Sequence, residues 1–538
     1  MRQHILKIFF AAVLSAFAAS PRGARTQNNL APGAPGKDAE WTSAGKEAVG
    51  TSNTLESKVW FTLRGGVMDE VYYPTVDVAN TQTLQFAVVG GSHSARRVEL
   101  ESEDTEHRLE VLDAQSLSFR QVNTAKRGGY VIRKTYTVDP ERSTVLIDVD
   151  IDSPNNYPYS LYVYYDPSLN NSGMHDSAWT EDGALLASDS DKSSALVSSA
   201  GFDHQTNGYL GVSDGLTQLR RATRSTNPFV TLDENYARAA DGNVVQVARI
   251  PGARATLALG FGREPAEALR NARASLAKGF ARAKEEYERG WHDYVKSLRR
   301  VGAKHQAQFD TAAMVLKAHE DKTYRGAMIA SLSIPWGGGA SANEPNVGGY
   351  HLVWSRDLYN VATAFHALGD KASADRALDY LFRVQQKPDG SFPQNSWLDG
   401  RPFWGSLQLD EVSFPLVLAY QLGRTDNETY VKHVRPAADF IVKHGPFTPQ
   451  ERWEEKSGYS PSTIAAEIAG LTCAAEIARR NNDDASAAIY TAAADDFARN
   501  VERWTVTTTG KHGDGNYYLR LSYNEDPDDG QPFDMGNG

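Results

Sequence analysis

Apolar and polar residues change rhythm near residue 263. Before it the period is two: Val145, Ile147, Val149 and Ile151 alternate with Leu146, Asp148, Asp150 and Asp152. Tyr159, Leu161, Val163 and Tyr165 repeat the pattern, as does Leu117-Ser118-Phe119. Strand side chains point to alternate faces, so this rhythm predicts half-buried strands from Lys58 to about Gly262. Turn signals divide them at Gly65-Gly66, Gly90-Gly91, Gly128-Gly129, Asp139-Pro140 and Asn155-Asn156. Many strands at short spacing predict a β-sandwich domain over residues 29–263. Beyond Glu264-Pro265 the spacing turns helical: Leu269, Ala272, Leu276 and Phe280 mark a pair of linker helices within 264–304. Helices are then predicted over Phe309–His319, Tyr324–Ser331, Ser355–Leu368, Ala372–Gln385, Gln408–Leu422, Glu428–Lys443, Pro461–Arg480 and Ala485–Trp504. Loops rich in Gly, Pro, Trp and Asp separate them, among them Pro335–Gly339, Asp389–Trp397 and Pro402–Gly405. Paired helices with elaborate loops predict an α/α barrel or toroid over 305–538.

Residues 1–28 read as a signal peptide and leader. Arg2, His4 and Lys7 precede an uncharged run from Ile8 to Ser20, and Ala16-Phe17-Ala18 matches a cleavage pattern, so a secreted or periplasmic location is expected. The run is too short to span a bilayer and no later stretch qualifies. A net charge of -11 without basic blocks argues against nucleic acid as a partner. The single Cys473 allows no internal disulfide and lends little support to thiolate chemistry. No H-E-x-x-H, nucleophile elbow or phosphate loop is present. Asp526-Pro527-Asp528-Asp529-Gly530 is the one stretch that suits calcium, although ordinary acidic turns have the same composition.

Three loop-to-helix junctions hold the candidate chemistry. In Gln450–Thr463, acids crowd Arg452 and Trp453, and Ser460-Pro461 then starts a helix. A carboxyl against an indole loses solvation, which raises its pKa as a general acid requires. A solvated acidic loop would have the same sequence. In Tyr350–Asp357, Ser355 is expected to cap a helix with Arg356 and Asp357 in its first turn. An Arg beside an Asp suits paired sugar hydroxyls, with Tyr350 and Trp354 as an apolar wall; a capped helix whose Asp favours the dipole is the plainer alternative. In Trp404–Glu411 an aromatic on a glycine loop again precedes acids at a helix start.

Together these stretches resemble family 15 of the glycoside hydrolases, the glucoamylases and glucodextranases, from about residue 29 onward. The resemblance implies an N-terminal super-β-sandwich, a helical linker and an (α/α)6-toroid catalytic domain, here incomplete. It implies exo-hydrolysis of α-glucans or maltooligosaccharides with inversion, releasing β-glucose. Glu454 corresponds to the general acid and Glu455 to a residue on the leaving-group side. Arg356 and Asp357 match the pair gripping the terminal glucose; Tyr350, Trp354, Trp404 and Trp453 match the pocket lining, and Arg452 is added to the binding set. The family's general base is a Glu in a later loop, and nothing through Gly538 matches it. The sequence therefore reads as a truncated record, with the base expected beyond residue 538. A monomer without cofactor is expected. Glucodextranase or trehalase activity, an α-glucoside phosphorylase and a non-catalytic glycan-binding protein remain the alternatives.

Overall fold

The computed structural model describes residues 29–90, 96–153, 158–223, 231–332 and 349–530. The predicted targeting segment, the Pro335–Gly339 loop, the Asn155-Asn156 turn and everything after residue 530 lie outside them. Strands fill the region up to Gly262 in two antiparallel sheets, of eight and nine strands among the described residues. The register aligns apolar side chains across neighbours: Leu161, Val163 and Tyr165 oppose Val88, Phe86 and Leu84, while Ile147 lies between Tyr136 and Leu257. Besides a single helical turn at Glu101–Asp104, helix α1 (Gly215–Ala222) interrupts the strands, capped by Asp214, whose side chain accepts from Thr217 N.

The alternation is not clean where the linker covers the second sheet. Leu146, grouped by sequence with outward-facing aspartates, is fully buried. Helix α2 (Pro265–Lys278) lies on that face, and Leu146 joins Ala258, Ala268 and Ala272 in a second core layer. A Cβ on Gly260 would sit 2.6 Å from Ala272 N, so the close approach of helix to sheet depends on that glycine. Gly279, at φ 87°, then turns the chain into α3 (Phe280–Ser297).

The helical region contains α4 (Ala303–Ala318), α5 (Ser355–Leu368), α6 (Lys371–Tyr380, continued by a π-helical turn to Gln385), α7 (Leu409–Gln421), α8 (Arg435–His444), α9 (Pro461–Arg480) and α10 (Asp484–Thr505). The predicted Tyr324–Ser331 helix is absent: the segment is a turn closed by a bridge between Glu320 and Met328, and its helical spacing is spent on burying Ala327, Met328 and Ile329. Helix α7 packs on both α5 and α9, while α6, α8 and α10 back these three from outside. Three helical hairpins thus set α5, α7 and α9 side by side and parallel, with their N-termini at one end. Each of the three candidate stretches is the loop entering one of those helices.

The sandwich and the helical region share one continuous core. Polar contacts fix the join. The Trp60 indole donates to Ala318 O at 2.9 Å, the Trp291 indole to Thr51 O at 2.9 Å, and the Tyr72 hydroxyl to Leu332 O.

Candidate active site

The entering loop of α5 places Trp354 just before the helix, and its indole N–H donates to Glu454 Oε1 at 2.6 Å. This bond ties the Tyr350–Asp357 stretch to the Gln450–Thr463 stretch. Ser355 does not cap α5, contrary to expectation. Trp354 holds the cap position without a side-chain bond, and the Ser355 hydroxyl instead donates to the Glu411 carbonyl at 2.6 Å and to its carboxylate. The α5 N-terminus is capped from a neighbouring helix: Glu411 Oε2 accepts Arg356 N at 2.7 Å.

Arg356 is almost wholly enclosed. Its Nη1 donates to Gln408 Oε1 at 2.8 Å and Asp410 Oδ2 at 3.0 Å and lies 3.1 Å from Glu411 Oε1. Its Nη2 stands 4.0 Å from Glu454 Oε1 and its Nε 4.0 Å from Asp357 Oδ2. Burial pushes the Glu411 carboxyl up to about 8, with Arg356 pulling against it and Asp410 reinforcing it. These acids in turn hold the Arg356 guanidinium firmly protonated, above its ordinary value although burial opposes this. Asp357 is also raised, by burial first, with Arg356 opposing. Its side chain is 49% exposed, yet that exposure is into a recess walled by protein.

A relay of side-chain amides joins the remaining stretch. Gln408 Nε2 donates to Gln450 Oε1 at 2.8 Å, and Gln450 Nε2 donates to Glu454 O at 2.9 Å. The three acids of the Gln450 loop have separated roles. Glu451 is buried and organises the turn, accepting Trp453 N at 2.9 Å, Glu455 N at 3.3 Å and Arg520 Nη2 at 2.7 Å. Glu454 rides on that turn with φ 67°, a left-handed conformation costing a non-glycine residue roughly 1–3 kcal/mol. Glu455 follows it, held through its backbone to Glu451, and is not among the residues lining the cavity.

That cavity measures about 340 Å³. Asp357, Arg356 and Glu454 supply its charge together with Arg452, which stacks 5.3 Å from the Trp453 ring. Its aromatic wall is Tyr350, Trp354, Trp404 and Trp453, with Trp354 at 6.1 Å from Tyr350 and 6.0 Å from Trp404. Eight of the nine residues singled out from sequence therefore surround one space, Glu455 being the exception. Sequence reasoning gave no role to Gln408, Asp410, Glu411 or Gln450, which hold Arg356 and the acid loop. The signal was the pair of adjacent acids opening an otherwise apolar helix, since a buried arginine needs such partners.

The carboxylates of the predicted calcium turn face protein donors. Asp528 accepts Thr508 N at 2.9 Å and the hydroxyls of Thr507, Thr508 and Thr509, and Asp529 accepts from Asn524 at 2.7 Å. Among the described residues no three His, Cys, Asp or Glu side chains converge as metal ligands. Among them, no helix is long and apolar enough to cross a membrane.

Comparison with known proteins matches residues 31–296 to the family described as glucodextranase, domain N, and residues 304–388 and 387–531 to glycosyl hydrolases family 15. A glucoamylase from Clostridium sp. (strain G0005) is 40% identical over 523 residues, 96% of this chain and 72% of that protein. An uncharacterized glycosyl hydrolase of Methanocaldococcus jannaschii is 29% identical over 140 residues, 25% of this chain and 23% of that one. The crystal structure of a bacterial glucoamylase complexed with acarbose superposes with a TM-score of 0.87 at 40% identity, over 93% of this chain and 73% of that one.

Proposed function

The chain belongs to family 15 of the glycosyl hydrolases and is a glucoamylase-like glucan hydrolase, and from that premise we propose that it removes glucose from non-reducing ends of α-glucans with inversion. Glu454 is the general acid. The Trp354 indole fixes its Oε1, leaving Oε2 to carry the proton to the departing glycosidic oxygen. Arg356 and Asp357 bind hydroxyls of the terminal glucose, and Tyr350, Trp354, Trp404 and Trp453 give the sugar faces an apolar wall. Arg452 adds a donor at the rim, and Glu455 acts on the leaving-group side.

The Trp354–Glu454 hydrogen bond carries this reading, because it sets the acid beside Arg356 in one recess. At about 340 Å³ that recess is at the small end of ligand sites, which suits a chain end rather than a chain passing through. Inversion further requires a second carboxylate roughly 6.5–9.5 Å from the acid to activate water. We give that role to none of the acids around the cavity: Asp357 serves the sugar, and Asp410 and Glu411 are taken up by Arg356. The same reading has residues 1–28 directing export to the periplasm or beyond, and the enzyme working as a monomer without a cofactor.

The test is the anomer first released from maltooligosaccharides by the enzyme expressed from its complete gene, followed by proton NMR. β-Glucose is expected, with isomaltooligosaccharides and trehalose cleaved more slowly. An initial burst of α-glucose would rule out inversion, and a strict requirement for phosphate would make the enzyme a phosphorylase.

A further inference from the structure

A second cavity, of about 290 Å³, lies by Asp370, just past the C-terminal end of α5, where three regions of the fold meet. The turn after the first strand, Thr51–Leu55, forms one wall, α3 contributes Trp291 and Tyr294, and the ends of α4 and α6 supply charged residues. Cations there outnumber the acceptors open to them. Glu320 receives Lys317, Arg325 Nε at 3.2 Å and Arg376 through Nε at 2.7 Å and Nη2 at 2.9 Å, and Ser373 Oγ accepts from Lys317 and from Arg376, each at 2.8 Å. The other two acids of the wall are engaged by N–H and O–H donors. Asp321 accepts the backbone N–H groups of Thr323, Tyr324 and Val76 at 2.7, 2.6 and 3.0 Å. Asp370 caps α6, accepting Ser373 N at 3.0 Å and Oγ at 2.6 Å.

Lys322 is a fourth cation, and its hydrogen bonds go to neutral oxygens, Thr51 Oγ1 at 2.7 Å and Ser57 O at 2.5 Å. The Trp60 ring lies 4.8 Å from its ammonium. Burial pulls Lys322 down to about 7, with Asp321 and Glu56 opposing it, and lowers Lys317 as well, with Glu320 opposing. On the same wall the Tyr294 hydroxyl, on a side chain 8% exposed, is directed to the Asp370 carboxylate. A space of this size, walled by four cations against three engaged acids, suits an acceptor-rich occupant.

We propose that this inter-domain cavity binds one compact oxyanion of the phosphate or sulfate class, held by Lys317, Lys322, Arg325 and Arg376. The bound anion ties the sandwich turn and the linker to the toroid, so it stabilises that join. The site is separate from the sugar pocket and makes no use of Glu454.

Inorganic phosphate is the probe, titrated calorimetrically at constant ionic strength against chloride, with acarbose saturating the sugar pocket. One phosphate per chain is expected, with a saturable rise in Tm of at least about 2 °C. Sulfate should compete and glucose should not. Arg325→Gln, whose side chain is one-third exposed and therefore tolerant of change, should weaken phosphate at least about tenfold, the loss of one charge-assisted bond. Lys317→Met should weaken it further. A Tm rise equalled by chloride, affinity unchanged in Arg325→Gln, or glucose displacing phosphate would each overturn the assignment.

Discussion

The sandwich and the toroid both bury charge, and they do it to opposite ends. In the sandwich, Lys134 and Glu101 are wholly buried 2.9 Å apart. Glu101 also accepts Phe86 N at 2.9 Å and Asn123 Nδ2 at 2.6 Å, and Lys134 also donates to Gly66 O at 2.6 Å. The network is closed: its partners are all core groups. In the toroid, Arg356 is gripped on one side by Gln408, Asp410 and Glu411 while its other side, with Asp357 and Glu454, opens into a recess. Both obey the rule that a buried charge must be paired. What marks the site is the side left unpaired.

Changes on the open side should therefore cost function, and changes in the closed network should cost the fold. The largest expected effect is on the open side. Glu454→Gln keeps the shape and the acceptor for the Trp354 indole but cannot donate a proton, so kcat should fall about 10²–10⁴-fold while acarbose still binds. Turnover within a factor of two of the parent would remove Glu454 from the acid's role. Next comes the closed network. Lys134→Met strands Glu101 among core groups, which should lower stability by about 3–5 kcal/mol in chemical denaturation and leave acarbose affinity of the folded fraction unchanged. A loss of affinity in that variant would break the contrast between the two regions.

Asp357→Ala should act more mildly, since it removes a hydrogen-bond acceptor without touching proton transfer. A loss of about 1.5–3 kcal/mol in kcat/KM is expected for every linkage tested, with Tm nearly unchanged. If kcat/KM is unaffected, Arg356-Asp357 is no more than a helix start.

The same contrast explains what the sequence disclosed. Helices α5 and α9 match their predicted bounds because the 3.6-residue period and local end signals, Gly369 after α5 and Ser460 before α9, act within a few positions. The cavity's aromatic and charged lining was legible because loops entering parallel inner helices converge at one end, so local motifs become neighbours. Long-range partnerships were not legible. Leu146 is buried by a helix more than a hundred residues later, and Ser355 turns from a cap into a donor to Glu411 because α7 packs beside α5. The roles of Glu451 and Glu454 likewise depend on Arg520, which neutralises one and not the other.

The smallest effect concerns buried acids that lack any cation. Both regions hold one. In the sandwich Asp166 is enclosed near Asp214, and in the toroid Glu467 on α9 is buried near Asp410 with neither oxygen hydrogen-bonded. Burial first, and the neighbouring acid second, raise both carboxyls well above their ordinary values. A carboxyl with a raised folded pKa binds its proton more tightly in the native chain than in the unfolded one. The stability it gives is complete below the unfolded value near 4 and drains away as pH rises toward the folded value. Within that window each such group should cost up to about 1.4 kcal/mol per pH unit. Replacing Glu467 by Gln keeps the neutral shape and deletes its titration, so the decline of stability between pH 5 and 8 should become shallower, and Asp166→Asn should do the same from the sandwich. Urea midpoints across that range would read both. A Glu467→Gln profile parallel to the parent's would mean that Glu467 is ionised in the folded toroid, and that water or a cation reaches it there.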